Sequence, residues 1–458
     1  EKISWTTQQT HVIDTRDGNL LVSAAAGSGK TAVLVQRVIE RLKDEDNPCP
    51  ADELLIVTFT RAATAQMKER IYQALMSEID KAPDSDLLKR QALLLPFAKI
   101  STIDSFCNDI VRENFHDIDI SPDYGILDNS QLALMCDDAV SRVMDELYKE
   151  NSPEFTELVG IMANGTDDSA LTDLICKLYN DSMAFARPEE FLYGLSSVYH
   201  NDIPLGDHLW GNIIIDYAAQ SIEYCLMLCE KMYDAGIADP IVGEKYSVGI
   251  ANNTAMFEEL AKIIEHGSWD EIRNAISSAS VGSLGRLPNK YSSAQSESVK
   301  AQKKVLSDQL KKLTALFCAS ESENKDDMNY LEPIAEKLID AVVRYGEILN
   351  EEKKAANSYD FSDICHFALK LLVSYDKDGK AHKTPLAESF AERFEEILVD
   401  EYQDVNDLQN TLFWAVSKNE TNMFTVGDVK QSIYRFRQAM PEIFLQKRKA
   451  LENFEGDN

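Results

Sequence analysis

Eight residues, Ala24-Ala25-Ala26-Gly27-Ser28-Gly29-Lys30-Thr31, have the types and spacing needed to hold a nucleotide polyphosphate. Backbone N–H groups of small residues can converge on phosphate oxygens where a loop opens a helix. Lys30 can reach the β- and γ-phosphates, and Thr31 can ligate Mg²⁺. The pattern is that of a P-loop with Ala24 in place of its usual first glycine. Alanine tolerates the tight turn less well than glycine, but is small enough for it. The competing reading is a small-residue turn before a helix. The apolar Leu20-Leu21-Val22 upstream and the helical spacing of Thr31–Leu42 downstream favour the phosphate loop.

Holding a nucleotide is not enough for chemistry; a metal-binding and water-activating element is also required. Ile397-Leu398-Val399 runs into Asp400-Glu401-Tyr402-Gln403-Asp404. In this arrangement Asp400 holds Mg²⁺ through water, while Glu401 orients and deprotonates the attacking water. The alternative is an acidic helix start, since Asp and Glu stabilise a helix N-terminus in any case.

These groups need a scaffold. Apolar, β-branched runs at 20–22, 54–58, 99–103, 396–399 and 423–426 are in several cases followed directly by a helical pattern. That alternation predicts a parallel sheet covered by helices. Between about 130 and 355 the pattern changes to long amphipathic helices such as Leu132–Leu147, with Val140, Val143, Met144 and Leu147 on one stripe, and Gly282–Pro288 and Ser320–Asp327 read as loops. The two halves of the nucleotide site stand about 370 residues apart. A helical domain inserted into a sheet domain explains that gap. Asp360-Phe361-Ser362-Asp363-Ile364 is the expected return point, with Ser362 or Asp360 capping a helix through Leu372.

At 458 residues with 44% apolar content, the chain predicts two or three globular domains. No stretch approaches the ~20 apolar residues that span a bilayer, and the start resembles no signal peptide. The eight cysteines form no C-x-x-C pair, which predicts reduced structural thiols and a cytoplasmic location. A net charge of −31 excludes nucleic-acid binding by bulk electrostatics, so any such contact needs local basic or aromatic surface. Arg286–Lys312, with seven basic and two acidic residues, reads as a solvated helix face or as a patch for duplex phosphates.

Three further segments place polar or aromatic groups just past apolar strands, the edge where such sheets bind ligands. They are Phe59-Thr60-Arg61, Asp104-Ser105-Phe106-Cys107, and Gly427-Asp428-Val429-Lys430-Gln431-Ser432-Ile433-Tyr434-Arg435-Phe436-Arg437. Gln431 can sense a γ-phosphate, and Tyr434, Phe436 and Arg437 offer stacking faces to unstacked bases. Tyr434 and Phe436 as core residues is the alternative.

Together these motifs resemble the UvrD/Rep class of superfamily 1 DNA helicases and, within it, the AddA (RexA) type of bacterial helicase–nuclease. The resemblance implies an α/β fold: a RecA-like P-loop NTPase domain called 1A, with a large, mostly α-helical insertion called 1B. The implied boundaries are 1–130 and 356–458 for the two parts of 1A and 131–355 for 1B. Trp5-Thr6 with Gln9 is similar to the family's adenine-reading Q motif. By the resemblance, Gln9 and Ala24, Ala25, Ala26, Gly27, Ser28, Gly29, Lys30 and Thr31 hold ATP, and Thr31 with Asp400 holds Mg²⁺. Asp400, Glu401 and Gln431 carry hydrolysis, while Phe59, Thr60, Arg61, Ser105, Phe106, Tyr434, Phe436 and Arg437 line the DNA track.

The sequence departs from the family at Arg61, where Asn is usual, at Gln66, where Glu is frequent, and at Asp104, where many members have His. An acid at 104 argues against phosphate contact by that side chain. No Asn-Tyr/Phe-Arg-Ser motif follows Phe444, so the expectation is an N-terminal portion without the second RecA-like domain or the nuclease. The implied parent is a 3′→5′ helicase–nuclease that acts on single-stranded and duplex DNA ends in recombinational double-strand break repair, beside an AddB/RexB-type partner and away from membranes. A UvrD/PcrA-type helicase without nuclease shares every motif. A non-catalytic ATP-binding scaffold is the remaining alternative, and it leaves Glu401 without a purpose.

Overall fold

The computed structural model describes residues 5–16, 18–25, 27–47, 49–163, 167–432 and 438–452. Nine strands occur among them: β1 (Leu20–Ser23), β2 (Leu54–Thr58), β3 (Lys99–Thr102), β4 (Gly125–Ile126), β5 (Ser358–Tyr359), β6 (Val373–Tyr375), β7 (Ala381–Lys383), β8 (Glu396–Val399) and β9 (Met423–Gly427). Five of them, β1, β2, β3, β8 and β9, form one parallel sheet in the order β1-β9-β8-β2-β3. These are the five runs expected from the sequence, the third ending one residue early because Ile103 already opens a helix.

Alternate residues of each strand supply two cores. Leu55, Val57, Ile397 and Val399 pack on one face with helices Ile103–Glu113, Phe361–Leu372 and Asp407–Val416. Leu54, Ile56, Leu398 and Phe424 pack on the other, with the helices after β1 and β2. Burial on both faces explains why β2, β8 and β9 are mostly apolar rather than alternating, with Glu396 and Thr425 as buried polar residues in β8 and β9.

The first helices are α1 (Thr7–Asp14), α2 (Lys30–Leu42), α3 (Arg61–Lys81), α4 (Asp86–Leu94) and α5 (Ile103–Glu113). Arg37 of α2 is only 1% exposed. It donates to Glu396 at the start of β8 (2.6 Å) and to the carbonyls of Val12 and Thr15 at the end of α1 (2.6 Å each). Arg41 stands 3.2 Å from the same carboxylate. One guanidinium therefore joins the helix that opens after Gly29, the helix of Gln9 and the strand that leads into Asp400. Arg37→Met removes one partner of a buried pair and leaves the Val12 and Thr15 carbonyls without their donor, so we expect it to cost about 3–5 kcal/mol. Thermal denaturation checks this; an unchanged melting temperature would contradict it.

By compactness the chain divides into a unit of 1–152, 161–192 and 340–458 and a unit of 153–160 and 193–339. In the first unit, β4 and β5 pair in parallel, so residues 125 and 358 run side by side. The return helix is capped by Asp360, in a reciprocal box with Asp363, rather than by Ser362. Lys353, 1% exposed, binds both carboxylates at 2.8 Å.

The second unit is helical, with a core built by Leu209–Ala238, Pro240–His266, Trp269–Ser278 and Ala294–Leu316. Glycines 236 and 243 let the first two of these helices approach closely: a Cβ on Gly243 would lie 2.5 Å from the Gly236 carbonyl oxygen. The basic segment lies partly on Ala294–Leu316, which buries Val299, Leu306, Leu310 and Leu313 and pairs Lys300 with Glu297 and Lys311 with Asp308. One sequence expectation fails here. Ser320–Asp327 is not a loop, because Ser320 and Glu323 exchange cap hydrogen bonds and start the helix Glu321–Ala355. Among the described residues no helix is long and apolar enough to cross a membrane, and all eight cysteines are free of disulfides.

Candidate functional site

Parallel register carries Ala24, Phe59, Ile103, Asp400 and Asp428 out of one edge of the sheet, since Ser23 aligns with Gly427, Val57 with Val399 and Thr58 with Thr102. At β1 the chain turns through Gly27 (φ +76°) and Gly29 (φ +83°), backbone that side-chain-bearing residues rarely adopt. Gly29 is the N-cap of α2, so the helix opens with unsatisfied N–H groups at Lys30 and beyond. Ala26 lies outside the described residues.

Gln9 reaches this loop. Thr6 and Gln9 cap α1 reciprocally, and the Gln9 amide donates to the Ser28 carbonyl at 3.1 Å. Opposite, Lys30 Nζ lies 3.5 Å from both Glu401 Oε2 and Gln431 Oε1, which brings the three strand ends of β1, β8 and β9 to one ammonium group. Glu401 has φ +50°, a strained position for a glutamate of the kind found at functional sites. The next buried residue inward, Asp400, accepts from the Glu401 N–H at 3.0 Å. Burial, reinforced by the Glu401 charge, pushes its carboxyl up to about 6. A carboxylate made costly in this way suits a cation, and a divalent ion beside Thr31 and Asp400 would restore its charged form.

Three residues that motif reading left without roles hold this arrangement together. The Gln403 side chain donates from Nε2 to Glu401 Oε2 (2.9 Å) and Asp404 Oδ2 (3.2 Å), and its Oε1 accepts from the Asp428 N–H (2.9 Å). Asp428 accepts from the Gln431 amide at 2.6 Å, a bond that holds its carboxyl below the usual range. Asp404 is pushed up by burial and accepts from Ser432 at 3.2 Å. The available signal was their position immediately after strands β8 and β9; their pairing across two strand ends is a tertiary property.

A cavity of about 630 Å³ is lined by Thr31, Asp400, Glu401, Gln403 and Gln431 on one side and by Thr58, Phe59 and Thr60 on the other. Phe59 thus shares a cavity with Thr31, Asp400, Glu401 and Gln431. Thr60 caps α3 by accepting from the Ala63 N–H, and Arg61 follows it, exposed. Ser105 accepts from the Thr102 hydroxyl at 2.9 Å and lies in a separate groove with Arg61. Phe106 requires a correction. It is 2% exposed and packs edge-on to Phe390 at 6.1 Å, so its ring belongs to the core and is unavailable to DNA. Helical periodicity after β3 turns that ring inward while Ser105 faces out. Tyr434, Phe436 and Arg437 lie outside the described residues.

The model of the UvrD/REP helicase N-terminal domain matches residues 5–452. Among similar proteins, an ATP-dependent helicase/nuclease subunit from Ruminiclostridium cellulolyticum is 36% identical over 458 residues, covering 97% of this chain and 36% of its own length. The like-named protein from Acetivibrio thermocellus is 36% identical, with 98% and 36% covered, and that from Clostridioides difficile 36%, with 97% and 36% covered. The chain spans little more than a third of the length of these relatives. With a phosphate loop, an acidic strand end and a glutamine-bearing third strand end meeting at Lys30, and a family match over nearly every residue, the chain belongs to the UvrD/REP helicase family through its N-terminal domain.

Proposed function

We propose that this chain binds ATP with Mg²⁺ at the Lys30 site and single-stranded DNA beside it, as the motor portion of an ATP-dependent 3′→5′ helicase–nuclease that processes duplex ends in double-strand break repair with an AddB/RexB-type partner. The observation that carries the reading is Lys30 Nζ at 3.5 Å from Glu401 and Gln431, at the sheet edge that also presents Phe59. The matching of 1A and 1B to the chain is part of the same proposal.

In this reading Lys30 and the open N–H groups of α2 neutralise the phosphates, and Gln9 takes the adenine. Thr31 and Asp400 hold Mg²⁺, which supplies charge compensation on the phosphate oxygens. Glu401 then accepts the proton of the attacking water, held in place by the Gln403 amide. Gln431, fixed to Asp428, exchanges its contact with Lys30 for the γ-phosphate and so reports nucleotide state to the segment beyond β9. A purely structural nucleotide would need neither Glu401 nor Gln431.

Phe59→Leu keeps the apolar contact with the core but removes a stacking face. We expect it to weaken binding of a labelled oligothymidylate by about 1–3 kcal/mol, while fluorescent ADP binds as before. Fluorescence anisotropy reads both; unaltered DNA binding would overturn the assignment of Phe59.

A further inference from the structure

In the helical unit, the residue after the turn Ser197–Tyr199 meets the helix Glu321–Ala355. One donor atom each from His200, Glu332 and Glu336 lies within 4.8 Å of the other two. Among the described residues no other three histidine, cysteine or carboxylate side chains converge in this way. Glu332 and Glu336 stand four apart, so one helical face presents both carboxylates. His200 Nε2 lies 2.9 Å from Glu332 Oε1. The neighbouring Asn201 amide donates to the Asn329 side-chain oxygen (2.7 Å) and to the Lys325 carbonyl (3.3 Å), which fastens the segment carrying the imidazole to the same helix. Glu336 has no ion-pair partner among the described residues.

We propose that His200, Glu332 and Glu336 form a site for a divalent transition ion of the Zn²⁺ type, with water in the remaining position. The donor set selects the class of ion. Mg²⁺ and Ca²⁺ take oxygen ligands, whereas one imidazole with two carboxylates suits Zn²⁺ and its neighbours. Three protein ligands leave a fourth, open position. Tetrahedral bonds of this kind set the donors ~3.4 Å apart. His200 and Glu336 are exposed, so rotation of their side chains closes the remaining distance without moving the helix. Ligation takes the Nε2 lone pair, so the imidazole carries its proton on Nδ1 and exchanges its bond to Glu332 for the metal.

A plain salt bridge accounts for less of this arrangement. An exposed His–Glu pair contributes little to stability, and it leaves Glu336 as a like charge one turn from Glu332. A shared cation neutralises both carboxylates. It also has a structural consequence, because the chain enters the long stretch of the helical unit at Tyr193 and leaves it at Ile339. An ion on these ligands closes a loop of about 130 residues inside that unit, a constraint on the unfolded chain that favours the folded one.

The test is a Co²⁺ titration of the nucleotide-free chain, followed by visible absorption, with Zn²⁺ and Mg²⁺ as competitors. We expect one Co²⁺ per chain with a Kd below about 100 µM, displaced by Zn²⁺ and not by Mg²⁺, and a Tm that rises with Zn²⁺ concentration. His200→Ala and Glu336→Gln should each weaken Co²⁺ binding at least about tenfold and remove the Zn²⁺-dependent rise. Their metal-free Tm should be unchanged, since both positions are exposed. Glu336→Gln decides the case, because it breaks no ion pair and its loss of Co²⁺ cannot come from misfolding. Asp400→Asn and Cys318→Ser, the latter removing an exposed thiol, should leave the Co²⁺ spectrum as it was. Weaker binding than that limit in the parent chain, undiminished binding in Glu336→Gln, or loss of the signal in Asp400→Asn or Cys318→Ser would each overturn the proposal.

Discussion

Lys30→Ala is expected to weaken ATP and ADP binding by about 10²–10⁴-fold without changing the melting temperature of the unliganded protein. Two charge-assisted bonds to phosphate contribute ~3–6 kcal/mol together. In the free protein the ammonium makes only long contacts, 3.5 Å to Glu401 and to Gln431, so little folding energy depends on it. Gln431 keeps its bond to Asp428 and Glu401 its bond to Gln403 when Lys30 is gone. Isothermal titration with ADP and a thermal scan separate the two effects. A large fall in melting temperature with nucleotide affinity retained would make Lys30 a structural residue.

Glu401→Gln should have the opposite signature, with nucleotide binding retained and turnover reduced by about 10²–10⁴, the contribution of a positioned general base. The amide is isosteric and can still accept a hydrogen bond, but it cannot take a proton. Single-turnover hydrolysis beside an equilibrium titration reads both quantities. Loss of binding together with turnover would mean that Glu401 holds the nucleotide rather than activating water. Asp400→Asn should differ again, because the buried carboxyl pushed up to about 6 is the group that a divalent ion would stabilise.

Much of this was legible in the sequence because the chemistry is local. Each half of the site is a short segment at the end of an apolar run, and a parallel sheet delivers such ends to one edge. The five strands, the P-loop helix and the Asp360 cap follow from runs of five or fewer apolar residues and the polar residues next to them. What escaped depends on distance in sequence. Arg37 reads as an ordinary polar position on a helix, yet it is buried against Glu396, 359 residues away. Gln403 and Asp428 lie 25 residues apart and acquire roles only because β8 neighbours β9. Phe106 has the residue type of a stacking platform, but the helical phase after β3 buries it. Ser320–Asp327 has the composition of a loop, but a polar run with Ser and Glu three apart is also a helix start.

The central claim is that Lys30, Thr31, Asp400, Glu401 and Gln431 form one site for ATP and a divalent ion. It is tested most directly by a crystal structure with a non-hydrolysable ATP analogue and Mn²⁺, located by its anomalous signal. The account predicts the γ-phosphate on Lys30 Nζ and the Gln431 amide, the manganese between the Thr31 hydroxyl and the Asp400 side, and the base beside Gln9. A nucleotide bound elsewhere, or a manganese peak away from Asp400 with Lys30 still paired to Glu401, would contradict it.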